Sequence, residues 1–155
     1  MTRSRRPDGA PRHDCDRGSA IVEFCYLAVM LMVPLVYVVL AVFEVQRAGY
    51  AVTQATREAG RAFVTTDRAD DAAARAYAAA YLALHDHGLR LEPGQLRIEC
   101  GPPPCLRPGN RVTVRIDTTV ALPFAPVIFE HRESASIAVH GVHEELVDVY
   151  RTVSR

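Results

Sequence analysis

The stretch "RGSAIVEFCYLAVMLMVPLVYVVLAVF" (residues 17–43) decides the fold of this chain. From Phe24 to Phe43, twenty residues pass without a charge. At about 1.5 Å of rise per residue, a helix of that length covers roughly 30 Å, the thickness of a hydrocarbon core. A core helix of a soluble domain is rarely apolar on every face over such a length. The run is therefore read as a transmembrane helix in contact with the lipid bilayer. Pro34 lies inside it, which a membrane helix tolerates better than a water-soluble one.

Orientation follows from the arginines. Arg3, Arg5, Arg6, Arg12 and Arg17 precede the run, against three Asp, so the N-terminus is expected in the cytoplasm. Everything after residue 44 is then extracytoplasmic. The run is longer than the apolar core of about 7–15 residues in a cleaved secretory signal, and no small-residue cleavage site follows it. Cys15 precedes the run, so it is not placed as a lipoprotein cysteine would be.

A single carboxylate, Glu23, stands near the start of the run. A charge at the centre of a membrane helix costs at least roughly 2.5–3.5 kcal/mol, but near the end the side chain reaches water. On these grounds alone, Glu23 reads equally well as an idle interfacial carboxylate.

The residues around it add to that reading. "RGSAIVEF" is a short basic leader, a Gly, four residues, then Glu and an aromatic. It resembles the processing site of type IV pilin-like proteins, which a prepilin peptidase cuts after the Gly. The resemblance implies a cut between Gly18 and Ser19, with Glu23 becoming the fifth residue. A Gly leaves the backbone open to the protease. The new α-amino group of Ser19 is a cation, and the resemblance implies that Glu23 pairs with a neighbouring subunit's N-terminus. Residues 17–64, with the polar segment Gln54-Ala55-Thr56-Arg57-Glu58-Ala59-Gly60-Arg61, resemble the TadE-like pseudopilins of tight-adherence (Flp) pilus systems. The late "HEELVDVYRT" is similar to the C-terminal ends of actinobacterial members. The resemblance implies a minor pilin-like protein that supports assembly of a Flp-type pilus or a related secretion machine. Its expected partners are the peptidase, other pilin-like subunits and inner-membrane assembly proteins. The position of Pro34 and the Cys pair at 100 and 105 depart from the family pattern.

The expected organisation is a cytoplasmic leader (1–18), a transmembrane helix (19–43) and an extracytoplasmic α+β domain (44–155). Apolar residues recur at Val45, Ala48, Val52, Ala55, Ala59 and Phe63, a helical stripe that continues the membrane helix to about Val64. The stripe covers either its own domain or a neighbouring subunit. "DRADDAAARAYAAAYLALHDHG" is a second helix, with Asp67 as its cap, Gly88 as its end, and Ala73, Tyr77, Ala80, Tyr81 and Leu84 on its apolar face. From residue 89 the period becomes two. "QLRIEC" (95–100), "RVTVRIDTTVAL" (111–122) and "SASIAVHGVH" (134–143) are strands of a small antiparallel sheet with the helices on one face. Val112, Val114, Ile116 and Thr118 share one side of the middle strand. Pro123 and Pro126 force a loop before the third.

Cys100 and Cys105 bracket "GPPP". Outside the cytoplasm a disulfide is the natural reading. Two free thiols or a metal site are the alternatives, the latter weakened because C-x4-C offers only two ligands.

All 18 basic residues are Arg, which with the abundant Ala points to a high-GC bacterial source. Formal net charge is +0 and there is no Trp and no basic stripe, so nucleic-acid binding is not expected. His85-Asp86-His87 and "HGVHEE" (140–145) are poor metal motifs. No Gly-rich phosphate loop or nucleophile elbow occurs. The expected protein is a substrate of an enzyme rather than an enzyme, with no cofactor and no metal. A single-pass protein that keeps its leader and binds an envelope or extracellular partner through the disulfide-tied hairpin is the rival reading.

Overall fold

The computed structural model describes residues 16–122 and 136–151. Five elements follow in chain order: α1 (Asp16–Val64), α2 (Ala69–Asp86), β1 (Leu96–Cys100), β2 (Arg111–Ala121) and β3 (Ser136–Leu146). The fold is α+β, with a long apolar N-terminal helix, a second helix and a three-stranded antiparallel sheet of order β1-β2-β3. Contacts divide the chain into two units, 1–39 and 40–155.

In the first unit the side chains of α1 from Ala20 onward are almost all exposed, Phe24 and Leu31 at 71% and 73%. The helix runs 49 residues without a break, and Pro34 does not end it. Among the described residues one helix, near the N-terminus, is long and apolar enough to cross a membrane.

In the second unit the same helix becomes amphipathic. Ala48, Val52, Ala55, Ala59 and Phe63 are buried, so the stripe is covered by the chain's own domain. Val45 sits at its margin, half-buried. The stripe is mostly Ala, and small side chains let the sheet come close. Gly141 of β3 lies directly beneath Val52, and Gly60 of α1 lies against His143 and Glu145.

The second helix packs on a face rotated from the one the sequence suggests: Ala80 and Leu84 are buried as expected, the rest of the expected face is not. Ala72, Ala76, Ala80, Ala83 and Leu84 are buried, whereas Ala73, Tyr77 and Tyr81 are exposed. With Ala at most positions, the apolar stripe has no unique phase. The close-packed solution puts the methyl groups inward and leaves the phenols at the rim, where the Tyr77 hydroxyl donates to the Leu91 carbonyl. Asp67 does not cap the helix: the N-cap is Arg68, without a side-chain cap bond. The end is as expected. Gly88 has φ +72°, its N–H bonds to the His85 carbonyl and Leu89 N–H to the Leu84 carbonyl. This pattern closes the helix through a left-handed residue that Gly adopts without steric cost.

The middle strand alternates cleanly. Val112, Val114, Ile116, Thr118 and Val120 face the core; Arg111, Arg115, Asp117 and Thr119 face out. Each buried Val or Ile contributes about 1.5–3 kcal/mol of burial free energy. Register sets Leu96 opposite Ile116 and Arg111 opposite Leu146. The third strand reaches Leu146, three residues beyond the expected end, because Glu144 and Glu145 still pair with Thr113 and Val112. The proline loop from Pro123 lies outside the described residues.

Candidate functional site

Three places carry the chemistry. The first is the start of α1. Gly18 and Ser19 fall in its opening turn. Glu23 follows one turn after Ser19, and residues four apart share a helix face. Glu23 is exposed, beside Ile21 and Phe24, and makes no ion pair among the described residues. Cys25, two residues on, is a free exposed thiol.

The second is the loop between β1 and β2. Cys100 and Cys105 stand at disulfide-bonding distance, with a Cα–Cα separation of 5.4 Å. Gly101 to Pro104 are exposed, while Leu106 beyond them is buried. One side chain holds the loop. Asn110 Nδ2 donates to the carbonyls of Pro102, Pro104 and Cys105, at 3.3, 3.4 and 3.1 Å. Its Oδ1 accepts from Arg111 N–H at 3.0 Å. Three successive prolines bring no N–H of their own. Within the run no N–H is available to its carbonyls; Asn110 donates to them, and the Pro104 carbonyl also accepts from Arg107 N–H at 3.1 Å.

The third is an open cleft of about 950 Å³ whose walls include Arg57, Arg61, Asp67, His143, Glu145 and Tyr150. His143 Nε2 and Glu145 Oε2 are 3.0 Å apart. One border of the cleft is fixed by Arg151, whose guanidinium donates to the carbonyls of Val64 and Thr66 at the end of α1. Tyr150 is held just before that anchor, its N–H bonded to Asp148 Oδ1 at 2.9 Å and its ring 90% exposed. Both signs of charge line the cleft, so it has no single preference for an anion or a cation.

The histidines singled out in the sequence are engaged separately. His85 stacks on Tyr81, with ring centroids 5.9 Å apart. His87 Nε2 lies 3.2 Å from Gln54 Oε1. Among the described residues, no group of three His, Cys, Asp or Glu could hold a metal ion. Sequence reasoning missed Asn110 and Arg151. Asn110 lies in a "PGN" turn, a signal that could have marked it. Arg151 has no such local signal, because its partners are more than eighty residues away.

Compared with protein-family models, with curated proteins and with solved structures, the chain matches none.

Proposed function

We propose that this chain is a minor pilin-like membrane protein of the TadE type. A prepilin peptidase cuts it between Gly18 and Ser19, and the mature protein is held by α1 with its N-terminus in the cytoplasm. The 44–155 domain lies outside. In this reading the protein supports assembly of a Flp-type pilus or a related secretion machine. The observation that carries the reading is the coupling of the "RGSAIVEF" start to one unbroken helix, apolar in its first half and part of an α+β core in its second. The cut falls in the opening turn of α1, where the first N–H groups have no intrahelical partner, so presenting it as an extended strand to a protease costs little. After the cut, the Ser19 ammonium gives Glu23 a cationic neighbour at the lipid boundary and offsets part of its desolvation.

The test is the intact mass and N-terminal peptide of the protein purified from its native membrane. A chain starting at Ser19 is the expected result. A chain that retains Met1 to Gly18 overturns the proposal.

The Cys100–Cys105 loop favours a second reading, an uncleaved single-pass protein whose outer domain binds an envelope or extracellular partner. An exposed loop stiffened by a disulfide, three prolines and one Asn loses little entropy on binding. The same mass measurement separates the two.

A further inference from the structure

The helices of the second unit are covered on one side only. On α1, Tyr50, Gln54, Arg57 and Arg61 recur at spacings of four, three and four, and all are exposed, Tyr50 at 75%. By helical spacing they lie roughly opposite Val52, which meets β3, and the Arg57 and Arg61 side chains also border the cleft described above. On α2, Asp71, Ala74, Ala78, Tyr81 and Leu82 form the corresponding outer stripe, with Tyr81 and Leu82 at 47% and 60% exposure. Between Ala72 and Leu84 the only charge on α2 is Arg75. This apolar, aromatic surface is unusual for the outward face of a helix.

The two helices are antiparallel. His87, after the end of α2, hydrogen-bonds Gln54, and Gly88 lies near the Arg47 guanidinium. The acidic first turn of α2, with Asp70 and Asp71, is therefore at the end of the layer where α1 carries Arg57 and Arg61. Among the described residues, Arg57, Arg61 and Asp70 make no ion pair, and Asp71 has only Arg68 at 3.8 Å, both well exposed. The opposite charges lie toward the same end of the helix layer, Arg61 nearer the acidic turn than Arg57, and they make no ion pair with each other.

We infer that a second copy of this chain docks on this layer, the two copies being related by a two-fold axis parallel to α1. Such an axis sets α1 of each copy against α2 of the other. Asp70 and Asp71 then meet Arg57 and Arg61 of the second copy. The Tyr81–Leu82 pair meets the Tyr50–Gln54 stretch of the second copy. A self-complementary patch of this kind is what a two-fold dimer requires. Both copies of α1 run in one direction, as two chains anchored in one bilayer must. Two helices about 27 Å long and about 10 Å apart give a footprint on the order of 500 Å² per copy, small for a dimer in free solution. Confinement in a membrane raises the effective concentration and compensates for that size. The inference rests on the outer face of the domain and is independent of cleavage at Gly18.

The test uses the full chain in native membranes, with Cys15 and Cys25 replaced by Ser. One differently tagged copy carries Gln54→Cys and the other Ala78→Cys. A short bismaleimide is expected to join the two tags. Neither variant alone is expected to cross-link to itself with comparable yield. Replacing Asp70 and Asp71 by Arg should lower the mixed product about fivefold, the scale of losing exposed ion pairs. Adding Arg57→Asp and Arg61→Asp should restore it, which a merely unfolded variant could not do. A mixed yield no higher than that of Gln54→Cys paired with Thr119→Cys, on the open face of the sheet, overturns the dimer. A dominant product from Gln54→Cys alone overturns the arrangement in favour of α1 against α1.

Discussion

A Cβ atom placed on Gly141 of β3 would stand 2.7 Å from Val52 Cγ1 and 3.3 Å from the Val52 carbonyl oxygen. The sheet and α1 are pressed together at this point, and only a residue without a side chain fits. Gly141→Ala should therefore destabilise the domain by about 1–3 kcal/mol, the usual cost of overpacking. Thermal melting in detergent should show a drop of roughly 4–8 °C per kcal/mol for a domain of this size. Adding Val52→Ala should recover part of the loss, because the methyl clash disappears while the carbonyl contact remains. Unchanged melting of the single variant would mean that α1 and β3 are not in contact.

Arg151→Ala should free the last described residues from the end of α1. The guanidinium bonds two carbonyls, Val64 and Thr66, that the helix end leaves without partners. Hydrogen bonds from a charged donor contribute about 1.5–3 kcal/mol when buried and less at a part-exposed site like this one. Amide exchange should quicken at residues 147–151 and little elsewhere. Arg151→Lys should recover only part of the protection, since an ammonium cannot present the planar fork.

Asn110 and the Cys100–Cys105 pair hold one loop and should show coupled effects. Replacing both cysteines by Ser should cost about 2 kcal/mol in the chain-entropy model for so short a loop. Asn110→Ala should cost about 1 kcal/mol with the cysteines joined and more without them, because the loop is then tied only by its few backbone hydrogen bonds. A double-mutant cycle read by thermal melting measures the difference. Strict additivity would show that the two restraints act on different segments.

Glu23→Ala should leave the protein in the membrane, since it removes a charge from the boundary of an apolar helix. Under the proposed pilin-like function, pilus or secretion output in the native host should fall by an order of magnitude or more, while carbonate extraction still finds the protein in the membrane fraction. Normal output would reduce Glu23 to an interfacial carboxylate with no role in docking.

The sequence predicted the number and order of elements well, because the periods differ sharply. A twenty-residue uncharged run, a 3-4 stripe from Ala48 to Phe63 and the alternation from Val112 to Val120 each permit one reading. It predicted the face of α2 poorly. Where nine of eighteen residues are Ala, periodicity has little contrast, and the packing of methyl groups against the sheet decides the phase. Asp67 looked like a cap because capping residues are short and polar, but the chain turns into α2 two residues later. Of the candidate site, the two cysteines, which lie within a few residues of each other, were legible as a pair. The ties that order the outer domain, Asn110 across its loop and Arg151 across the fold, depend on tertiary contact and carry no comparable pattern.

The continuity of α1 from the apolar segment to Val64 also bears on how the chain folds. A helix in lipid must form, because its backbone groups find no other partners there. Starting a helix in water is the costly step, and lengthening one is cheap. If insertion builds the first half of α1, residues 44–64 grow from an existing end and need no nucleus of their own. Ala48, Val52 and Ala55 are then already presented as a template when β2 and β3, which pair over long sequence distances, come to be assembled. A version of the chain that begins at residue 44 lacks that start. It should fold more slowly than its native-state contacts alone suggest.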